Sequence, residues 1–187
     1  AAIMAFVLEL FLEAVSPPAR RLQVVYLENM TTGLILILLL QFAYRFPDLP
    51  PRRKWEARVA LGLSVLYTLF EASFAVYRFA ALGQGRVYFR PLWPDYILVL
   101  GFLWVPVVFM RQAVRASRRE LAGAGRSAFA HLWRPPGRAA RAARSFALVH
   151  LLPVGMAVAN LLRTYRLIPA GLYHASMSLG LLFTLFF

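Results

Sequence analysis

Long apolar runs separated by short arginine-rich gaps are the feature that most constrains how this chain folds. Fourteen of the twenty-one basic residues fall in two stretches, residues 45–58 and 111–144, and the other seven fall in three further gaps. A membrane-spanning helix needs about 20 mostly apolar residues, and basic residues gather in the cytoplasmic loops between such helices. The pattern therefore predicts an all-α, polytopic integral membrane protein.

The apolar runs predict a single transmembrane helical domain over residues 1–187. Its spans are expected at residues 1–15, 22–44, 57–82, 92–110, 146–162 and 167–187, with a basic cytoplasmic loop at 111–145. The first run is short and the last stays apolar to its end, so we expect a seventh helix before residue 1 and a cytoplasmic C-terminus. One lysine against twenty arginines is typical of GC-rich bacterial genes, which suggests a bacterial inner membrane.

The charge and the absence of cysteine limit the possible partners and chemistry. A net charge of +13 would favour nucleic acid in a soluble protein. Here the arginines flank helices of lipid length, so the expected anionic partner is the phospholipid surface and no nucleic acid partner is predicted. A chain without cysteine has no disulfide, no thiolate chemistry and no cysteine-based metal site.

Polar side chains inside the predicted spans are the candidate functional residues, because such groups are costly in lipid. With the basic gaps placed in the cytoplasm, seven of them fall in the outer half of the bundle. We expect them to form a pocket for a ligand, a cation or a proton. The alternative is that each glutamate pairs with an outer arginine and that the histidine only bonds across a helix interface. The candidates are Glu9, Glu13, Glu28, Asn29, Glu71, Asn160 and His174.

The basic loop contains four arginines with helical spacing. Arg134, Arg138, Arg141 and Arg144 follow at intervals that place them on one face of a helix. This face is either an amphipathic element that binds anionic lipid or a partner domain, or simply a solvated loop with charges at helix ends. Arg111 and Arg115 are expected to prolong the fourth span out of the bilayer.

Catalytic signatures do not occur in the sequence, and three classes of function stay open. There is no nucleophile elbow, P-loop, dinucleotide fingerprint or zinc-ligand spacing, so the sequence predicts no catalytic residue, no metal and no particular cofactor. A sensor would use the outer pocket. A small ion or solute transporter or channel subunit would also need inner polar groups, where only His150 is found. A lipid-modifying enzyme would depend on Asp48, Glu56 and Glu120 at the inner face.

Three segments resemble the membrane regions of bacterial sensor proteins. They are QFAYRFP at residues 41–47, RQAVR at 111–115 and NLLRTYRLIP at 160–169. Similar segments occur in seven-helix sensor modules that precede histidine kinases, nucleotide cyclases or sigma-regulating phosphatases. The resemblance implies membrane signal input, a homodimer and a cytoplasmic output domain, whose motifs do not occur in these residues. Among the three classes of function, it favours the sensor.

Overall fold

Helices make up every regular element in the part of the chain that the structure describes. The computed structural model describes residues 12, 15, 17–46, 53–85, 93–120, 137–169 and 171–172. The helices are α1 (Pro18–Arg45), α2 (Lys54–Gly83), α3 (Trp93–Glu120), α4 (Arg138–Val149) and α5 (Leu151–Thr164).

Prolines and glycines determine where several of these helices begin and end. Pro18 occupies the first turn of α1, where its missing N–H costs nothing. Phe46 ends α1 in an extended conformation with ψ of 135°, because the residue before a proline is disfavoured in the helical region. Gly85 follows α2 in the left-handed region, with φ of +70°, which glycine adopts without strain.

A break at His150 separates α4 from α5. The proline at position 153 has no N–H, so the carbonyl three to four residues earlier loses its helical donor. The chain turns at His150 and continues in nearly the same direction, and residues Arg138–Arg163 together form one segment of 26 residues. The predicted span at 146–162 therefore begins two turns earlier, at Arg138. Pro106, in contrast, lies inside α3 without ending it, as membrane helices permit.

Four helical segments are long and apolar enough to cross a membrane: Leu27–Arg45, Lys54–Gly83, Trp93–Arg119 and Arg138–Arg163. They correspond to the second to fifth predicted spans. The first and last predicted spans, at 1–15 and 167–187, lie almost wholly outside the described residues. The structure thus supports four spans, and the expected count of six is not supported. Both ends of the predicted basic segment at 111–145 are helical, since α3 continues to Glu120 and α4 starts at Arg138; its cytoplasmic location stays a prediction.

Small residues allow the helices to approach closely. α1 packs between α2 and α3, and α3 packs in turn against α4 and α5. A Cβ on Gly33 of α1 would lie 2.7 Å from the Thr68 hydroxyl oxygen of α2, and one on Gly101 of α3 would lie 2.6 Å from a Leu36 methyl of α1. The face of α4 toward α3 consists of fully buried alanines at positions 140, 143 and 147. Close packing of this kind drives helix association in lipid.

Apolar side chains cover the outside of the bundle, and polar ones lie within it. Large hydrophobic residues on the outer faces are exposed, among them Leu38, Leu66, Leu100 and Leu103. The buried polar residues are Ser64, Glu71, Arg78, Asp95, Gln112, Ser117 and His150. This distribution fits a bundle whose surroundings are lipid, because an apolar exterior has no cost there and polar groups face one another inside.

Candidate functional site

The contact between α1 and α2 brings two of the predicted polar residues to the same height. Gly33 of α1 lies against Thr68 of α2, and the two helices run antiparallel. Asn29 comes one turn before Gly33 on α1, and Glu71 comes about one turn after Thr68 on α2. Because the two helices are antiparallel, both residues lie about one turn from this contact, toward the same end of the bundle. Glu28 is adjacent to Asn29 on α1.

α3 adds a carboxylate at this height. It runs parallel to α1, with Gly101 beside Leu36 and the Gln112 amide donating to the Tyr44 carbonyl oxygen at 3.0 Å. These two contacts fix how residues of α3 align with residues of α1, and the same alignment places Asp95 at the height of Glu28 and Asn29. The Phe70 and Trp93 rings, with centroids 4.8 Å apart, join α2 to α3 at this height. We call Glu28, Asn29, Glu71 and Asp95 the acidic layer.

Burial distinguishes the members of the acidic layer. Glu71 is 2% exposed and Asp95 is 7% exposed, whereas Glu28 and Asn29 are half-buried. All three carboxylates interact with other groups of the protein. Among the described residues no three potential metal ligands come together. The arrangement in the described residues is therefore three carboxylates at similar height on three helices.

Asn160, the other predicted pocket residue that the structure describes, is not part of this layer. The Tyr96 and Tyr165 hydroxyls contact each other between α3 and the end of α5, and Asn160 lies five residues earlier, about 7 Å further into the bundle. Glu9, Glu13 and His174 lie outside the described residues. The structure thus places Glu28, Asn29 and Glu71 at similar height on α1 and α2, with Asp95 at that height on α3. The sequence suggested Asp95 only as a charge at a helix start, and the pocket itself stays a prediction.

A second polar group joins three helices at the opposite end of the bundle. The Glu56 carboxylate accepts hydrogen bonds from the Tyr44 hydroxyl at 3.0 Å and from the Arg111 guanidinium at 2.7 Å. The Trp104 indole N–H donates to the Tyr44 oxygen at 2.9 Å. With the Gln112 bond to the Tyr44 carbonyl, these contacts connect α1, α2 and α3. We call Tyr44, Glu56, Trp104, Arg111 and Gln112 the basic-end network.

Sequence reasoning did not find the basic-end network. Its members come from three helices and have no shared spacing, so nothing local in the chain marks them as partners. Glu56 is recognisable only as a charge at the inner face, and Trp104 as an interfacial or packing aromatic. One signal was available: an isolated acid beside the most arginine-rich part of the chain must find a cation, because a carboxylate near lipid is costly when unpaired.

Aromatic rings connect α1 and α3 to the α4–α5 junction beside this network. The Phe109 ring of α3 lies 5.7 Å from Phe42, 5.5 Å from Phe146 and 5.3 Å from His150, measured between centroids. Phe46 lies 5.2 Å from Phe146. The His150 Nδ1 atom lies 2.6 Å from the Phe146 carbonyl oxygen, so the hydrogen-bond partner of the imidazole is a backbone carbonyl one turn earlier in the chain. His150 is therefore part of the packing at this end.

The predicted arginine face is located partly on α4. Arg138 and Arg141 are exposed and Arg144 is half-buried, while Arg134 lies outside the described residues. The opposite, alanine face of α4 is buried against α3. This element is therefore a packed part of the bundle with one basic face, and whether that face contacts anionic lipid stays a prediction.

Comparison of the chain with protein-family models, with curated proteins and with solved structures finds no match.

Proposed function

We propose that this chain is a membrane-embedded signal-input region. Positive charge, arriving as a proton or on a cationic ligand, reaches the acidic layer, and the resulting change passes to the basic-end network and on to a cytoplasmic output domain. One observation carries the proposal. Each of the first three helices contributes to the acidic layer and also to the basic-end network. Examples are Glu28 and Tyr44 on α1, Glu71 and Glu56 on α2, and Asp95 and Arg111 on α3.

The helices are suitable for carrying a change from one polar group to the other. The two residues on each helix are about 22–24 Å apart at a rise of about 1.5 Å per residue. A small tilt or rotation caused by a charge change at the acidic layer would therefore alter the Tyr44, Glu56 and Arg111 contacts at the other end. Signalling of this kind requires an element with two arrangements that the input biases. The hydrogen-bonded contacts at the basic end are the element we assign to this role.

The charge distribution suggests which polar group faces which side. Arg45, Arg53 and Arg111 lie at the end of the bundle that holds the basic-end network. By the positive-inside rule this end faces the cytoplasm. In a bacterial inner membrane the acidic layer would then open toward the periplasm, where an external stimulus arrives. The resemblance to bacterial sensor modules, which act as homodimers, supports the same arrangement.

The apolar residues between the two polar groups argue against a transport pathway. Leu36, Leu40, Leu98, Phe102 and Val105 fill this layer and are at most 9% exposed. The hydroxyls near it bond to their own helices: Thr32 to the Glu28 carbonyl oxygen, Ser64 to that of Ala60, and Thr68 to that of Ser64. These hydroxyls therefore bond within single helices, whereas transport sites use polar groups near the membrane centre.

Glu71→Gln is expected to reduce the gain in protonated carboxyl groups that follows a drop in external pH. A cationic ligand would compete with protons for the same carboxylates. A change of pH therefore tests the acidic layer whether its natural input is a proton or a cationic ligand. We would reconstitute the full chain in sealed liposomes with the basic end inside and lower the outside pH. Infrared difference spectroscopy would then follow the carboxyl band. The wild type should gain protonated carboxyl signal, and the variant should gain clearly less, because Glu71 is the most buried of the three carboxylates.

Arg58→Gln is the control, since it removes an exposed charge from the same helix outside both polar groups, and it should leave the response to outside pH unchanged. Equal signals from wild type and Glu71→Gln would contradict the proposal. A pH-sensitive dye inside the same liposomes tests the transporter alternative. Proton influx above that of empty liposomes, lost in Glu71→Gln, would favour a transporter, and the sensor proposal predicts no such influx.

A further inference from the structure

Three arginines cluster near a single carboxylate at the basic end. Glu56 lies 2.7 Å from Arg111 and 3.8 Å from the Arg53 Nε atom. Arg115, one turn further along α3, lies close enough to interact electrostatically with Glu56 and with Arg53, Arg111 and Arg119. One negative charge cannot neutralise this cluster, so the described side chains here carry excess positive charge.

Two guanidinium nitrogens of this cluster are buried without an acceptor. The Nη1 atoms of Arg53 and Arg115 are inaccessible to solvent, and neither has a hydrogen-bond partner among the described residues. A buried donor on a charged group loses its hydration without recovering a bond, which is unfavourable. Arg53 as a side chain is only 14% exposed. The two arginines come from different helices, Arg53 from the start of α2 and Arg115 from α3, and they are close enough to interact electrostatically.

We propose that Arg53, Arg111 and Arg115 form a binding site for a phosphate group at the basic end of the bundle. A phosphate offers several anionic oxygens to the planar forks of more than one guanidinium, and arginine is preferred for such recognition. Glu56 acts as a positioning residue, because its bonds to Tyr44 and Arg111 fix the Arg111 guanidinium beside the other two. The proposal does not depend on the function of the acidic layer.

The position of the cluster allows two sources for the phosphate. The three arginines lie where α1 ends, α2 begins and α3 approaches its last turns, which is where the headgroups of a bilayer would be. Anionic lipid attracts basic residues at this depth. A soluble phosphate or diphosphate group could bind the same arginines from the aqueous side. The chemistry of recognition is shared, and separate titrations distinguish the sources.

The test is a set of affinity titrations of the full chain in maltoside micelles, which contain no phosphate. Phosphatidic acid is added in one arm, and inorganic phosphate or pyrophosphate in the other, with the thermal shift as readout. Arg53→Gln and Arg115→Gln should each weaken binding about tenfold or more, as expected for loss of a hydrogen bond between charged groups. The matched control Arg118→Gln removes an exposed arginine from α3 and should change affinity less than about twofold.

Two further variants separate binding from folding. Arg115→Lys keeps the charge but loses the fork, so its affinity should fall between those of the wild type and Arg115→Gln. Glu56→Gln leaves Arg53 and Arg111 without their carboxylate, so bound phosphate should restore part of the stability that this variant loses. Saturable binding in the lipid arm alone identifies a headgroup site, and binding in the soluble arm identifies a site for free phosphate. No saturable binding in either arm, or equal losses in Arg115→Gln and Arg118→Gln, would overturn the proposal.

Discussion

Phe109→Ala is expected to lower the free energy of unfolding by about 3 kcal/mol, the largest effect of any single change proposed for this chain. Phe109 is fully buried and its ring contacts Phe42, Phe146 and His150. Removal of the ring leaves a cavity where α1, α3 and the α4–α5 junction meet. Apolar burial contributes little within a bilayer, so the loss comes mainly from van der Waals contacts, and the effect should lie at the lower end of the range for this substitution.

The measurement is reversible unfolding of the purified chain in detergent micelles, followed by far-ultraviolet circular dichroism. Val107→Ala is the control, since Val107 is on the same helix but 42% exposed on the outer face, and it should cost less than about 1 kcal/mol. Similar losses for the two variants would show that the aromatic cluster does not hold these helices together.

Glu56→Gln is expected to cost about 2 kcal/mol of unfolding free energy. The substitution keeps the shape of the side chain but removes the negative charge that pairs with Arg53 and Arg111. It leaves two cations close together and weakens the bond from the Tyr44 hydroxyl. The Glu56 side chain is 30% exposed, so water screens part of the loss and the full cost of a broken buried ion pair is not expected.

A double-mutant cycle with Arg111→Gln isolates the pair. The double variant should be less destabilised than the sum of the single variants, with a coupling energy of about 1 kcal/mol or more. Arg58→Gln, an exposed change on the same helix, should alter stability by less than about 0.5 kcal/mol. Additive effects of Glu56→Gln and Arg111→Gln would mean that their bond does not support the basic-end network.

Sequence reasoning succeeded where the cause is local. Four of the spans follow from the length of apolar runs, and the end of α1 at Phe46 follows from the proline after it. The predicted depth of Glu28, Asn29 and Glu71 uses the same local reasoning, because height along a helix is proportional to residue number once the direction is fixed, and it stays a prediction. These inferences need no knowledge of which helix neighbours which.

Lateral contacts could not be predicted in the same way. The helical spacing of Arg138, Arg141 and Arg144 could be read from the sequence, but the burial of the alanines between them depends on the position of α3. Asp95 joins the acidic layer only because α3 is parallel to α1 at a particular offset. The Tyr44, Glu56 and Arg111 contacts likewise depend on three helices meeting. A single sequence contains no direct record of such tertiary neighbours.

The central claim, that the acidic layer and the basic-end network move together, is tested most directly by a distance measurement between labels at the basic end. Because the chain has no cysteine, spin labels can be attached to cysteines that replace Arg58 on α2 and Arg118 on α3, both exposed. Electron–electron double resonance would record this distance in liposomes before and after the outside pH is lowered. The account predicts a shift of about 1–2 Å or more, typical of helix movements in signalling, and its loss in Glu71→Gln. A distance that does not change with pH, or that changes equally in Glu71→Gln, would contradict it.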